Sequence, residues 1–184
     1  MKIRGEDNKE VLTTPVLKKT LNKIHGLYAI IDTSFIALSE TEKTAVELLK
    51  GGAKIIQLRA KDSPTGPMLE AARKIRALTA DCGALFMVND RVDVALISKA
   101  DGVHLGGDDI PIEDARKLLG ENSIIGISTH TRDEALNAQK RGADYISFGP
   151  VFATKTKKDA LSPRGLKALK EAVESVSIPV VAIG

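Results

Sequence analysis

Three turns in this chain resemble one another. Gly51-Gly52-Ala53, Ala100-Asp101-Gly102 and Gly142-Ala143-Asp144 each lead from a helix-like segment into a short apolar run. The turns that go the other way share only their polarity: Asp32-Thr33, Asn89-Asp90, Gly106-Gly107-Asp108-Asp109 and Ser128-Thr129. Apolar runs that alternate with helical periods through short turns must pair in parallel, with right-handed crossovers. Uniform turns at one end and varied polar turns at the other mark a barrel whose working face lies at the carboxyl ends of its strands. A doubly wound sheet also alternates, but it gathers its ligand residues at one switch point. Here polar clusters follow strands two to six, and a ring of contributors favours the barrel.

Read in order, the strands are 27–31, 54–59, 84–88, 102–105, 123–127, 144–148 and 179–183. Helices are expected over 40–50, 68–80, a short stretch through Leu96, 111–119, from Thr131 onward, and 164–176. Gly51-Gly52 closes the first helix, Pro111 suits the start of the fourth, and Thr131 with Glu134 forms a capping box for the fifth. A closed barrel of this type has eight strands. The expected fold is therefore α/β, a TIM (β/α)8-type barrel lacking the eighth βα unit in this chain. Residues 25–184 form the barrel catalytic domain. Residues 1–24 are a lead-in, with Leu17, Leu21 and Ile24 at helical spacing for a short cap helix.

A length of 184 residues fits one domain with a real core. No apolar run reaches the roughly 20 residues of a membrane helix, and the polar start carries no secretory pattern, so a cytoplasmic location without membrane attachment is expected. Cys82 is the single cysteine, which agrees with a reducing compartment. In Thr79-Ala80-Asp81-Cys82-Gly83 it reads as a structural helix end rather than a nucleophile. A net charge of +3, no Trp and 3% aromatic residues argue against nucleic acid as a partner. A homo-oligomer is compatible with the sequence.

The second strand carries the strongest chemical signal. In Ile55-Ile56-Gln57-Leu58-Arg59-Ala60-Lys61 the side chains alternate, so Ile56, Leu58 and Ala60 share an apolar face. Ile55, Gln57, Arg59 and Lys61 share the other, which changes from apolar to a ladder of donors. Asp62 falls on the opposite face, leaving both cations without a carboxylate of matching spacing on their own strand. Such a row is an anion cradle, or a strand end dissolving into ordinary surface charge. Asp90 and Asp109 follow the third and fourth strands. Two carboxylates with no His or Cys cluster suit Mg2+ shared with water and a substrate phosphate, and the same positions suit helix capping. The run Gly149-Pro150-Val151-Phe152-Ala153-Thr154-Lys155-Thr156-Lys157-Lys158 alternates hydroxyls with lysines, a second anion candidate or a solvated basic loop. Ser128 is placed to hydrogen-bond a substrate, without a nucleophile-elbow setting. His104 and His130 read better as packing or capping groups than as acid–base groups. Gly184 permits close approach of backbone to a phosphate.

Gln57-Leu58-Arg59-Ala60-Lys61, Val88-Asn89-Asp90, Asp101 to Gly106 running into Asp108-Asp109, Gly126 to His130, and Gly149 to Phe152 running into Thr154 to Lys157 together resemble the thiamine phosphate synthase family from about His25 onward. Gly107 stands where that family commonly has Gln. The resemblance implies a (β/α)8 transferase with two phosphorylated small-molecule substrates. It would join 4-amino-5-hydroxymethyl-2-methylpyrimidine diphosphate to 4-methyl-5-(2-phosphooxyethyl)thiazole, releasing diphosphate. Gln57, Arg59, Lys61, Asn89 and Lys157 would hold the pyrimidine substrate, chiefly its diphosphate, and Ser128 would sit near the ring. Asp90 and Asp109 would bind Mg2+, the expected cofactor. Thr154, Thr156 and Gly184 would hold the thiazole phosphate. The implied mechanism is dissociative and needs no nucleophile or base: Arg59, Lys61 and Lys157 stabilise the leaving group. The alternatives are a thiazole tautomerase-like isomerase, which would need no diphosphate cradle, and a non-catalytic binder of phosphorylated ligands, favoured by the missing eighth unit.

Overall fold

Each expected apolar run becomes a strand, and all of them join one parallel sheet in chain order. The computed structural model describes residues 24–154 and 161–184, so the expected helix within the first 24 residues lies outside the described residues. The strands are β1 (Tyr28–Asp32), β2 (Ile55–Arg59), β3 (Leu85–Asn89), β4 (Gly102–Leu105), β5 (Ile124–Thr129), β6 (Tyr145–Phe148) and β7 (Val180–Ala182). The sheet order runs from β1 to β7 without interruption, so β1 and β7 are its edges. The helices are α1 (Thr41–Lys50), α2 (Thr65–Cys82), α3 (Val92–Ser98), α4 (Ile112–Leu119), α5 (Arg132–Lys140) and α6 (Gly165–Ser175). A 3-10 turn at Leu38–Glu40 precedes α1. The alternation and the strand count match the barrel-type expectation, and boundaries shift by a residue or a few.

Alternation along each strand sorts the side chains between two regions. Ile56, Leu58, Phe86, Val88, Val103, Leu105, Ile125, Ile146 and Phe148 face outward into the large core beneath the helices. Inward-facing Ile55, Leu85, Met87, Ile124 and Tyr145 form a smaller cluster inside the sheet. Ile56, Leu58 and Ala60 are all in the outer core, as their shared face requires.

Two of the three similar helix-to-strand turns carry an aspartate that acts as a clamp. Asp101 accepts the Phe86 N–H at 2.8 Å and pairs with Arg76 of α2 at 3.5 Å. Asp144 accepts the Ile125 N–H at 2.7 Å and Arg116 of α4 at 2.6 Å. In each case one carboxylate satisfies a backbone donor of the preceding strand and ties down a helix. Asp144 is 7% exposed, and a charge that deep is tolerable because it is paired and hydrogen-bonded.

The helix ends follow the sequence with one difference. Gly83 closes α2 in the left-handed region at φ 66°, which leaves Cys82 as the exposed last helical residue. Pro111 caps α4 from just outside the helix. Thr131 Oγ1 accepts the Glu134 N–H at 3.2 Å, as a capping box requires. The Glu134 carboxylate, however, accepts the N–H of His130 at 2.6 Å, one residue before the cap. This ties the end of β5 to α5.

Candidate active site

Parallel register brings the ends of β1 to β4 together. Asp32 lies opposite Arg59, and Asn89 opposite His104. Arg59 donates to Asp32 at 2.7 Å, with the two side chains only 19% and 13% exposed. Burial pushes the Asp32 carboxyl up, but hydrogen bonds from Ser34 and the Arg59 guanidinium outweigh it and hold the carboxyl below its ordinary range. Lys61 pairs with Asp90 across strands at 3.1 Å. Both cations of the β2 ladder thus find carboxylates on neighbouring strands, where counting along β2 itself finds none.

Asp90 and Asp109 lie side by side. Burial raises the Asp90 carboxyl above the ordinary carboxylate range, the Asp109 carboxyl raises it further, and Lys61 opposes both. Asp90 sits at φ 61°, a left-handed conformation uncommon outside glycine, though Asp tolerates it better than most residues. Its backbone N–H is held by the His104 carbonyl at 2.9 Å. Asp109 folds back so that one oxygen accepts the Gly106 N–H at 2.6 Å. A Cβ on Gly106 would stand 3.1 Å from that oxygen, so a glycine there gives the carboxylate room. Neither aspartate caps a helix: the residues before α3 and α4 are Arg91 and Pro111. The capping reading of these two positions is therefore not what the chain builds. Among the described residues no group of three or more His, Cys, Asp or Glu side chains is arranged to hold a metal. The available set is two neighbouring carboxylates, a hard oxygen pair fit for a hydrated divalent cation.

Inside the sheet is a cavity of about 830 Å³, lined among others by Gln57, Arg59, Asn89, Ser128, Thr154 and Gly184. Six of the expected substrate residues therefore share one space. Lys61, Asp90 and Asp109 stand at the strand ends next to Arg59 and Asn89. Thr156 and Lys157 lie outside the described residues. Gly184, at φ 99°, meets the turn after β6: a Cβ there would lie 2.7 Å from Pro150 Cβ. Its need for glycine is thus already explained by packing, beside any contact with phosphate.

His130 is a structural tie, as expected, with Nδ1 2.5 Å from the Gly149 carbonyl oxygen. His104 is packed too, but it also lines the cavity, with Nδ1 2.8 Å from Tyr145 Oη and Nε2 3.0 Å from Ser128 Oγ. Reading the sequence missed Asp32, Tyr28 and Tyr145 as members of this site. The signal for Asp32 was its place at the end of β1, in the same position along its strand as Arg59 on β2.

The family model described as thiamine monophosphate synthase matches residues 27–184. The chain belongs to the thiamine monophosphate synthase family. A thiamine-phosphate synthase from Shouchella clausii is 48% identical over 158 residues, covering 86% of this chain and 76% of that protein. One from Pyrococcus abyssi is 51% identical, covering 86% of this chain and 74% of its own length. The solved thiamine phosphate pyrophosphorylase from Pyrococcus furiosus superposes with a TM-score of 0.78 at 47% identity, covering 89% of this chain and 76% of that one. An N-acetylmannosamine-6-phosphate 2-epimerase from Clostridium perfringens, 17% identical with a TM-score of 0.62, shares the fold alone. The synthase name carried by these close relatives gives no support to the isomerase or the non-catalytic binder. No helix among the described residues is long and apolar enough to cross a membrane.

Proposed function

We propose that this chain is a thiamine phosphate synthase, a transferase that joins the hydroxymethylpyrimidine diphosphate to the thiazole phosphate and releases diphosphate. The observation that carries this reading is the charge arrangement at the ends of β2 to β4. Lys61 stands beside the paired carboxylates of Asp90 and Asp109, and Arg59, held by Asp32 at the end of β1, lines a cavity large enough for a ring. A diphosphate needs cations, and two adjacent carboxylates need one as well. A divalent ion between them satisfies both.

Asp90 and Asp109 would hold Mg2+, which when bound would offset the negative charge of the departing diphosphate. Lys61 and Arg59 add donors to the same oxygens, and Lys157 would add another. Asn89, Gln57 and Ser128 would orient the pyrimidine inside the sheet, while Thr154, Thr156 and Gly184 would seat the thiazole phosphate. The pyrimidine's methylene C–O bond breaks, with the electron pair leaving on the diphosphate. The aminopyrimidine delocalises the positive charge, and the thiazole nitrogen lone pair forms the new C–N bond. The chain's contribution is alignment and charge stabilisation, and this step calls on neither Ser128 nor His104 as nucleophile or base. A cytoplasmic location completes the reading, supported by the exposed, unpaired Cys82.

The test is diphosphate release with both substrates, with and without Mg2+, on this chain and on Arg59→Ala. Release that requires the metal and the thiazole phosphate, and falls at least about a hundredfold in the variant, is the expected result. No release together with no Mg2+-dependent binding of the pyrimidine diphosphate overturns the proposal.

A further inference from the structure

The diphosphate chemistry leaves unused a chain of hydrogen bonds that crosses the cavity. Gln57 Nε2 donates to Tyr28 Oη at 2.7 Å, and Tyr28 Oη lies 2.9 Å from Tyr145 Oη. Tyr145 Oη lies 2.8 Å from His104 Nδ1, and His104 Nε2 lies 3.0 Å from Ser128 Oγ. The chain thus runs from β2 through β1, β6 and β4 to β5. Tyr145 can reach β4 only by passing over β5. It does so at Gly126, where any Cβ would overlap its ring. Gly126 has no positive φ, so the glycine is there for space rather than for backbone freedom.

Counting protons gives the chain a direction. A phenol has one proton to give. Burial pushes Tyr28 up to about 12 and raises Tyr145 well above its ordinary value, so both keep that proton. Gln57 Nε2 can only donate, and we assign the buried Tyr28 proton to Tyr145 Oη, the acceptor at 2.9 Å. Tyr145 then gives its proton to His104 Nδ1. That places the imidazole proton on Nε2, where Ser128 Oγ at 3.0 Å is the nearer acceptor and Ser147 Oγ stands at 3.3 Å. Ser128 has accepted one hydrogen bond and keeps its own proton to donate. At the other end, Gln57 keeps Oε1 to accept. Gln57 and Ser128 both line the cavity.

We propose that the Tyr28–Tyr145–His104 relay turns Gln57 so that Oε1 accepts from the ligand and turns the Ser128 hydroxyl so that its proton is given to the ligand. It thereby selects a heteroaromatic ring whose edge pairs an amino donor with a ring-nitrogen acceptor. The oxo form of such a ring, with a carbonyl acceptor beside a ring N–H, has both polarities reversed. Tyr145 is then a positioning residue: it acts by setting what Gln57 and Ser128 offer. This inference rests on the proposed function for the identity of the ring.

Calorimetry with Mg2+ on the full chain tests it, using the aminopyrimidine diphosphate, its oxo analogue and inorganic diphosphate as probes. The chain as it stands should prefer the amino form by about thirtyfold, since two mismatched hydrogen bonds leave polar groups unpaired. In Tyr145→Phe, which keeps the ring and loses the hydroxyl, the preference should fall below about threefold. Inorganic diphosphate should bind the variant as before, a result that general loosening of the fold would not give. Tyr28→Phe breaks the same relay one link earlier, at a half-buried position, and must lower the preference too; it serves if Tyr145→Phe does not fold. An unchanged amino-to-oxo ratio in a folded variant overturns the relay while the function stands. A preference for the oxo form in the unaltered chain overturns the assigned direction. Failure to bind either ring overturns the function and the relay with it.

Discussion

Gly126→Ala is the most telling single change in this structure. The added methyl would overlap the Tyr145 ring, which is fully buried and held between Tyr28 and His104. Overpacking of this kind costs about 1–3 kcal/mol. A displaced ring also strains two hydrogen bonds, each worth about 1 kcal/mol when made and more when a buried partner is left unpaired. Together these give a loss of about 3 kcal/mol, a fall in Tm of roughly 6–12 °C for a domain of this size. The chain has no Trp, so guanidinium unfolding is best followed by far-UV circular dichroism. A double-mutant cycle isolates the cause. With Tyr145→Ala already present there is no ring to displace, and Gly126→Ala should cost nothing or stabilise slightly, because Gly in a strand is unfavourable by about 0.5–1 kcal/mol. An equal cost in both backgrounds would show that the glycine serves something other than the tyrosine, and would refute the reasoning.

Lys61→Ala should lower turnover at least about tenfold while changing stability by less than about 1 kcal/mol, because its pair with Asp90 is half exposed. Steady-state diphosphate release beside a denaturation curve checks both halves. Asp32 has a depressed carboxyl pKa in the folded chain. Its contribution is therefore present above the ordinary value of 3.8 and is lost as pH falls through the lower folded value. Asp32→Asn should flatten the stability profile in that acid window, measured by urea midpoints across pH; an unchanged acid limb would refute it. Gly184→Ala places a Cβ against Pro150 at a φ of 99° and should destabilise by about 1–3 kcal/mol. It should also raise the KM for the thiazole phosphate more than that for the pyrimidine diphosphate.

By itself the sequence determined the order of elements, the parallel sheet and the side of each strand that meets the helices. Those properties are local: period two in strands, a helical period between them, and turn residues of fixed preference. It also placed Gln57, Arg59, Asn89, Ser128 and Thr154 around one space, because residues at the carboxyl ends of successive parallel strands must converge. The pairings were another matter. Asp32 and Arg59 are 27 residues apart, and His104 and Tyr145 are 41 apart. Which of them touch depends on the register between strands, and a shift of one residue would turn every side chain to the opposite face. Tyr145 reads along the chain as one more core aromatic. Only the tertiary structure lays its ring across Gly126, brings its hydroxyl to His104, and turns Tyr28, Tyr145 and His104 into a connection between Gln57 and Ser128. Local propensity can say which face a side chain takes, but the partner it meets there is decided by the packing of strands distant in sequence.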